Sequence, residues 1–348
     1  MSTLPTAYIA TQGSRIRLDG PALVVTHTDG STAQVQLGLI AGLVLLGAIE
    51  ITSAAQLALA DRGIGCVFAT RGGRIRGILA PQSQLQSSRR MLQYQLESER
   101  TAAADAPRPL AIAHSIVHAK IQAMLGLMTQ HHRSHDDADL AVPIQALRRL
   151  LESAGRAPSI DILRGYEGAA AAQYFAAFPA FCRTELTTDR RTRRPPKDPM
   201  NAALSLGYGL LVGELTATLL ARGLDPHLGL LHPPADGRPS LALDLVEPLR
   251  HAIVDRLALR AANRREITVA DFEPVESAEG AGVHFNDAGR ARFLHLYQAA
   301  MSAPLTGVSS TPRCARWLIS NAVEEYELAL EGTPRSDDAA VSEIAQLP

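Results

Sequence analysis

The sequence predicts an α+β protein, with an N-terminal β-sandwich domain followed by an all-α domain. Three observations carry that expectation. Up to about residue 80, short stretches alternate polar and apolar residues with the period of a half-buried strand. Pro81-Gln82-Ser83-Gln84 then interrupts the pattern. Beyond it, apolar residues recur at three- and four-residue steps, the period of a helix with one buried face. The expected division is 1–82, 83–332 and a polar, mobile tail at 333–348.

Within the first part, Gly13-Ser14-Arg15-Ile16-Arg17-Leu18 and Gln34-Val35-Gln36-Leu37 alternate, whereas Leu23-Val24-Val25 and Leu43-Val44-Leu45-Leu46 are continuous apolar runs. Asp19-Gly20 and Asp29-Gly30 supply the turns. One helix interrupts, with Ser53 and Gln56 as a capping box and Gly63 after its last turn. Cys66 to Thr70 and Arg74 to Leu79 return to strand around Gly72-Gly73. These pieces make a small sandwich that packs and dimerises.

Composition sets the bounds. A chain of 348 residues with 46% hydrophobic content has room for two cored domains. No apolar run is expected to span a membrane, and Met1 to Pro5 lacks the basic and apolar regions of a secretory signal. Cys66, Cys182 and Cys314 lie far apart and read as reduced thiols of a cytoplasmic protein. With a net charge of −1, a nucleic-acid partner must be held by local basic patches rather than by the overall field. Of the 34 basic residues only Lys120 and Lys197 are lysine, which hints at sites wanting a compact ammonium instead of a planar fork.

Helical periodicity runs over Gln84 to Arg100 and Leu110 to Gln130. His114 and His118 have metal-ligand spacing, but the residues between them lack the glutamate of a zinc-protease helix, so they read as a structural pair. His131, His132 and His135 sit where imidazolium favours a helix C-terminus. Ser159 caps the next helix, on which Glu167, Ala171 and Tyr174 share one face. The small residues around Glu167 suit either close approach of a ligand or a tight helix–helix contact.

Candidate chemistry is concentrated between Arg190 and Arg250. From Arg190 to Lys197 every residue but Thr192 is basic or proline, and Asp198-Pro199 opens a helix with an N-cap followed by proline. A stiff row of cations at a helix N-terminus is anion-binding geometry. His232 precedes Pro233-Pro234 and so projects from a rigid loop. Asp244 and Glu247 are three residues apart, and Pro248 removes a backbone donor and kinks the element. Two carboxylates and an imidazole suit Mg²⁺ or Mn²⁺ in metal-assisted phosphodiester chemistry, or else form a buried network tying loop to helix. Further on, Thr268 and Asn286 are N-cap residues, Val283-His284-Phe285 is a short extended piece, and Arg313 to Leu330 is a last amphipathic helix with Trp317 in the core.

The series Tyr166-Glu167-Gly168, Arg194-Pro195-Pro196-Lys197-Asp198-Pro199-Met200-Asn201, Gly223-Leu224-Asp225-Pro226, Gly229-Leu230-Leu231-His232 and Ser240 to Glu247 resembles the CRISPR-associated adaptation endonuclease/integrase family, Cas-one. Leu43-Val44-Leu45-Leu46-Gly47 and Ala60-Asp61-Arg62-Gly63-Ile64 extend the likeness into the N-terminal part. The resemblance implies an all-helical catalytic domain and a homodimer. It implies metal ligands at Glu167, His232 and Glu247, with Asp244 as an additional ligand or a group behind them. It further implies a small ferredoxin-fold partner, Cas-two, a Cas-four-like trimming nuclease, and a double-stranded donor DNA joined through its 3′-hydroxyls to a CRISPR repeat. Arg190, Arg191, Arg193, Arg194, Lys197 and Arg250 would then hold the DNA backbone without reading bases. The competing expectations are a general metal-dependent nuclease on branched DNA and a non-catalytic DNA-binding scaffold.

Overall fold

The structure is a computed structural model that describes residues 4–82, 87–135, 138–188, 190–193, 195–277, 280–305 and 313–332. Arg194, residues 83–86 beside the expected boundary, and the tail at 333–348 lie outside the described residues.

Two four-stranded sheets form the N-terminal part. One has the order β1 (Thr6–Ile9), β5 (Gly42–Leu46), β7 (Gly65–Ala69), β8 (Ile75–Leu79). The other has the order β4 (Thr32–Gln36), β3 (Ala22–Thr26), β2 (Arg15–Asp19), β6 (Glu50–Ile51). Alternation explains β2, whose Ile16 is buried between exposed Arg15 and Arg17. The continuous apolar run of β5 has a different cause. Leu43 and Leu45 join Ile16, Leu23, Val25 and Cys66 in a core shared by both sheets and α1 (Ser53–Asp61). Val44 and Leu46, with Val67 and Ala69 of β7, instead point into the helical core. A strand buried on both faces must be apolar throughout. The cap of α1 lies one residue earlier than Ser53: Thr52 accepts from the Ala55 N–H at 3.4 Å.

The remainder is mainly helical: α2 (Ser87–Ala102), α3 (Pro107–His135), α4 (Ala141–Ala154), α5 (Ile160–Ala176), the single turn α6 (Phe178–Phe181), α7 (Pro199–Ala221) and α8 (Ser240–Leu249). A wider π-helical stretch, Arg250–Asp255, then leads into α9 (Arg256–Asn263). Pro248, which has no backbone donor, stands just before it. After β9 (Phe272–Ser277) and β10 (Gly280–Phe285) come α10 (Asp287–Ser302), β11 (Pro304–Leu305), β12 (Arg313–Cys314) and α11 (Ala315–Leu330).

The second part is therefore not all-α, because it carries the antiparallel pairs β9–β10 and β11–β12. Pro274 inside β9 argues against a strand by sequence, yet it pairs with Val283 in a two-stranded ribbon that can spare its donor.

Helix α7 is the axis of the molecule. Its residues are buried on nearly every face, and β5 and β7 pack on one side of it. Contact with the β8 hairpin is close enough that a Cβ on Gly209 would lie 2.7 Å from the Gly73 carbonyl oxygen. Tyr8 of β1 donates to Glu214 of α7, and Arg316 of α11 approaches the other carboxylate oxygen at 3.5 Å. Burial pushes the Glu214 carboxyl up, against the opposing effect of Arg316. By length and composition, Pro107–Arg133 and Pro199–Ala221 are apolar enough to cross a membrane, contrary to the reading of the sequence. Of their most apolar windows, 56% and 78% are buried inside the protein, the property of core helices.

Candidate metal centre and basic loop

Helices α3, α5 and α8 deliver three charges to one point. Lys120 of α3 is buried, and its ammonium contacts Glu167 of α5 and, at 2.5 Å, Oε2 of Glu247 on α8. The other oxygen of Glu247 meets Arg250 at 2.8 Å. Burial is the largest influence on Glu247 and by itself would raise its pKa. Arg250, Lys120 and His232 together outweigh it and hold the carboxyl at about 2. Glu167 is the most open of the three, and beside it Gly165 and Gly168 of α5 have open space where a side chain would be.

Asp244 has a different task. Its Oδ2 accepts from the backbone N–H groups of Leu230 and Leu231 at 2.6 and 3.0 Å, and its Oδ1 from that of His232 at 2.9 Å. The same Oδ1 lies 2.7 Å from His232 Nδ1. Asp244 thus closes the 230–232 loop onto α8 and sets the plane of the imidazole. Burial raises its pKa against the opposing effect of those hydrogen bonds. With Nδ1 engaged, Nε2 is the nitrogen left to face a ligand.

A second buried cluster stands behind this one. Arg250 lies over the Tyr208 ring, 5.1 Å from its centroid. Tyr208 donates to Asp255 Oδ1 at 2.6 Å; Tyr174 donates to Oδ2 at 2.9 Å, and His251 Nδ1 is 2.7 Å from the same atom. Arg250, grouped by sequence with the DNA contacts, is committed to Glu247 and Tyr208. The i, i+4 spacing of His251 and Asp255 is the sequence signal that points to this cluster.

Among the described residues no three His, Cys, Asp or Glu side chains are gathered as a preformed metal cage. The donor chemistry nevertheless fits a divalent cation. Glu167 and Glu247 already share one cation, Lys120, and Glu247 Oε2 has that charge contact without a well-aligned hydrogen bond. His114 and His118 form no part of this site: His114 Nε2 is 2.9 Å from the Ala157 carbonyl, and His118 Nε2 is 3.4 Å from the Gln122 amide.

The basic loop divides into built-in and outward cations. Arg191 bonds Asn201 at 2.7 Å and Ser205 at 3.0 Å, and lies 5.2 Å from the Tyr208 centroid. Burial lowers its pKa. Arg190, Arg193 and Lys197 are exposed. Lys197 Nζ also donates to the Ala281 carbonyl at 2.6 Å, and the Val283 N–H donates to Pro196 at 2.9 Å. Ribbon β10 therefore braces the loop. A Cβ on Gly282 would come within 2.5 Å of Pro195, so glycine permits this approach. Asp198 caps α7 through the Asn201 N–H at 2.7 Å, with Pro199 at its first position.

A family model described as CRISPR associated protein Cas1 matches residues 7–299. The chain belongs to the Cas1 family. A relative named CRISPR-associated endonuclease Cas1 2, from Rhodospirillum rubrum, is 34% identical over 307 residues, covering 85% of this chain and 86% of the relative. A CRISPR-associated exonuclease Cas4/endonuclease Cas1 fusion from Geobacter sulfurreducens is 34% identical over 309 residues, covering 86% of this chain. The chain spans about half of that fusion, 53% of its length. A solved Cas1 protein from Thermotoga maritima matches with a TM-score of 0.79 at 24% identity, over 95% of this chain and 99% of that one, which shows the shared α+β fold. A Cas6-RT-Cas1--Cas2 complex matches with a TM-score of 0.79 at 26% identity, over 97% of this chain and 36% of its own.

Proposed function

We propose that this protein is a metal-dependent DNA endonuclease/integrase of CRISPR adaptation, which joins donor 3′-hydroxyls to a CRISPR repeat by transesterification. One observation carries the reading. Carboxylates from two helices, Glu167 and Glu247, converge on a single buried cation beside an imidazole oriented by Asp244. Glu167, His232 through Nε2, and Glu247 are the metal ligands, and Asp244 is the group behind His232. When bound there, Mg²⁺ or Mn²⁺ would supply Lewis acidity that screens the phosphate and lowers the pKa of the attacking hydroxyl.

The chain's own residues do the rest. Asp244 keeps His232 Nδ1 engaged, and Arg250 keeps Glu247 ionised. Arg190, Arg193 and Lys197, with Arg194 beside them in sequence, offer charge to the DNA backbone. In the joining step one P–O bond forms and one breaks, so no covalent enzyme intermediate is needed.

We read the two N-terminal sheets as a sandwich that dimerises, divided from the catalytic part near residue 82. The Cas1–Cas2 assembly and the Cas4/Cas1 fusion named among the matches support a Cas2-type partner and a Cas4-like trimming nuclease. On this reading the protein acts in the cytoplasm.

The test is a joining assay. Purified protein with its small partner, in Mg²⁺ or Mn²⁺, is expected to join a donor duplex to a repeat-bearing plasmid. A donor ending in a dideoxynucleotide is expected to fail. Equal reaction of the blocked donor, or nicking without joining, would identify a hydrolytic nuclease. No reaction together with intact DNA binding would identify a scaffold.

A further inference from the structure

We propose that Lys120 is a positioning residue, a resident cation that holds Glu167 and Glu247 together and must withdraw before a divalent ion can share them. This rests on the metal reading of the site given above.

The geometry leads there directly. The Lys120 side chain is 5% exposed and Glu247 is 2% exposed, so neither charge is compensated by water. One ammonium meets both carboxylates, which is the place a metal shared by the same two groups would take. Without a cation, two carboxylates brought together in a desolvated site repel, and one must protonate or move away. Lys120 removes that penalty in the metal-free protein.

The choice of lysine matters. Arginine supplies 32 of the 34 basic residues, so a lysine at this point is a departure from the chain's habit. A guanidinium would clamp a carboxylate through two parallel hydrogen bonds, whereas an ammonium on a flexible stem is a point charge that can be withdrawn. Glu167, at 19% exposure, is the open side of the site, whereas Glu247 is 2% exposed. That is the side on which Lys120 would withdraw.

The chain's two lysines make a direct experiment possible. Wild-type protein is acylated under native conditions with an N-hydroxysuccinimide ester, with and without Mn²⁺, and modification is read at each lysine by mass spectrometry. Mn²⁺ is expected to raise acylation of Lys120 at least about fivefold while Lys197, already exposed, stays constant as the internal reference. In parallel, Mn²⁺ binding is followed by electron paramagnetic resonance of the free ion. Lys120→Gln is expected to bind at least about tenfold more tightly, because a competing positive charge is gone. Its metal-free melting temperature is expected to fall and to recover with Mn²⁺. A merely structural lysine would lose stability without gaining metal affinity.

If Mn²⁺ binds wild type while Lys120 acylation is unchanged, the Lys120 proposal is overturned and the metal reading stands. Equal or weaker binding by a folded Lys120→Gln has the same meaning. Absence of Mn²⁺ binding to wild type overturns both. Should Lys120→Gln fail to fold, the wild-type acylation still decides.

Discussion

The carboxylate site and the basic loop treat charge in opposite ways. Around Lys120, Glu167 and Glu247 charges are withdrawn from water and held by partners on different helices. Along 190–197, Arg190, Arg193 and Lys197 remain exposed, while Arg191 is turned inward as part of the scaffold. Buried charge is tolerated only when paired, so it fixes geometry. Exposed charge is free to meet a polyanion, so it supplies affinity without fixing position. A chain with net charge −1 thus keeps its paired carboxylates and its outward cations in two dielectric settings.

The largest expected effect tests the buried side. Glu167→Gln and His232→Ala should each lower strand joining by at least about a thousandfold while DNA binding changes by no more than about twofold. Parallel losses of joining and binding, measured by gel assay and anisotropy, would show that the two regions are not separate.

Asp244→Asn comes next. An amide cannot accept all four hydrogen bonds that now hold the 230–232 loop, so the imidazole loses its orientation. Metal affinity should fall about 10- to 100-fold, read by calorimetry, as for removal of a group behind a ligating histidine. An unchanged affinity would mean that His232 needs no such support.

Within the loop the same amino acid should behave in two ways. Arg193→Ala should leave the melting temperature in place and reduce the slope of log affinity against log salt by about 1, equally for unrelated DNA sequences. Arg191→Ala should instead cost about 1–3 kcal/mol of stability, because it removes the hydrogen bonds to Asn201 and Ser205 and uncovers Tyr208. Denaturant titration and salt series on both variants distinguish the two roles.

The smallest effect concerns acid. Glu247 ionises at about 2 in the folded protein against an ordinary value of 4.5. A depressed carboxyl stabilises the fold above its unfolded value, and that stability is lost as pH falls from about 4.5 towards 2. Asp244, raised by burial, acts in the opposite direction. Comparison of wild type with Glu247→Gln cancels the Asp244 contribution. The wild-type melting temperature should fall more steeply over that window; coincident slopes would mean that Lys120 and Arg250 do not hold Glu247 ionised.

Local rules in the sequence determined much of this protein. Period-two alternation marks β2; Ser159, Asp198 and Asn286 cap the helices expected of them, and the Thr268/Asp271 capping box forms. These depend on groups three or four residues apart, so they are written locally. Motif resemblance, more than spacing, singles out Glu167, His232 and Glu247 as a set.

Tertiary structure alone decided the rest. Whether Asp244 faces a ligand or the backbone of 230–232 depends on how a loop folds over α8. Arg191 and Arg193 are indistinguishable as letters, and only the place of Asn201, Ser205 and Tyr208 on α7 makes one of them internal. Lys120 stood out in composition, but its meeting with Glu167, 47 positions on, and with Glu247 required three helices to pack. Strand β9 escaped notice because Pro274 breaks the local rule, while pairing with β10 and the brace of β10 on the basic loop stabilise it from outside. Short-range propensities set the elements; desolvation, which no residue experiences until the chain is packed, sets which charges become a site.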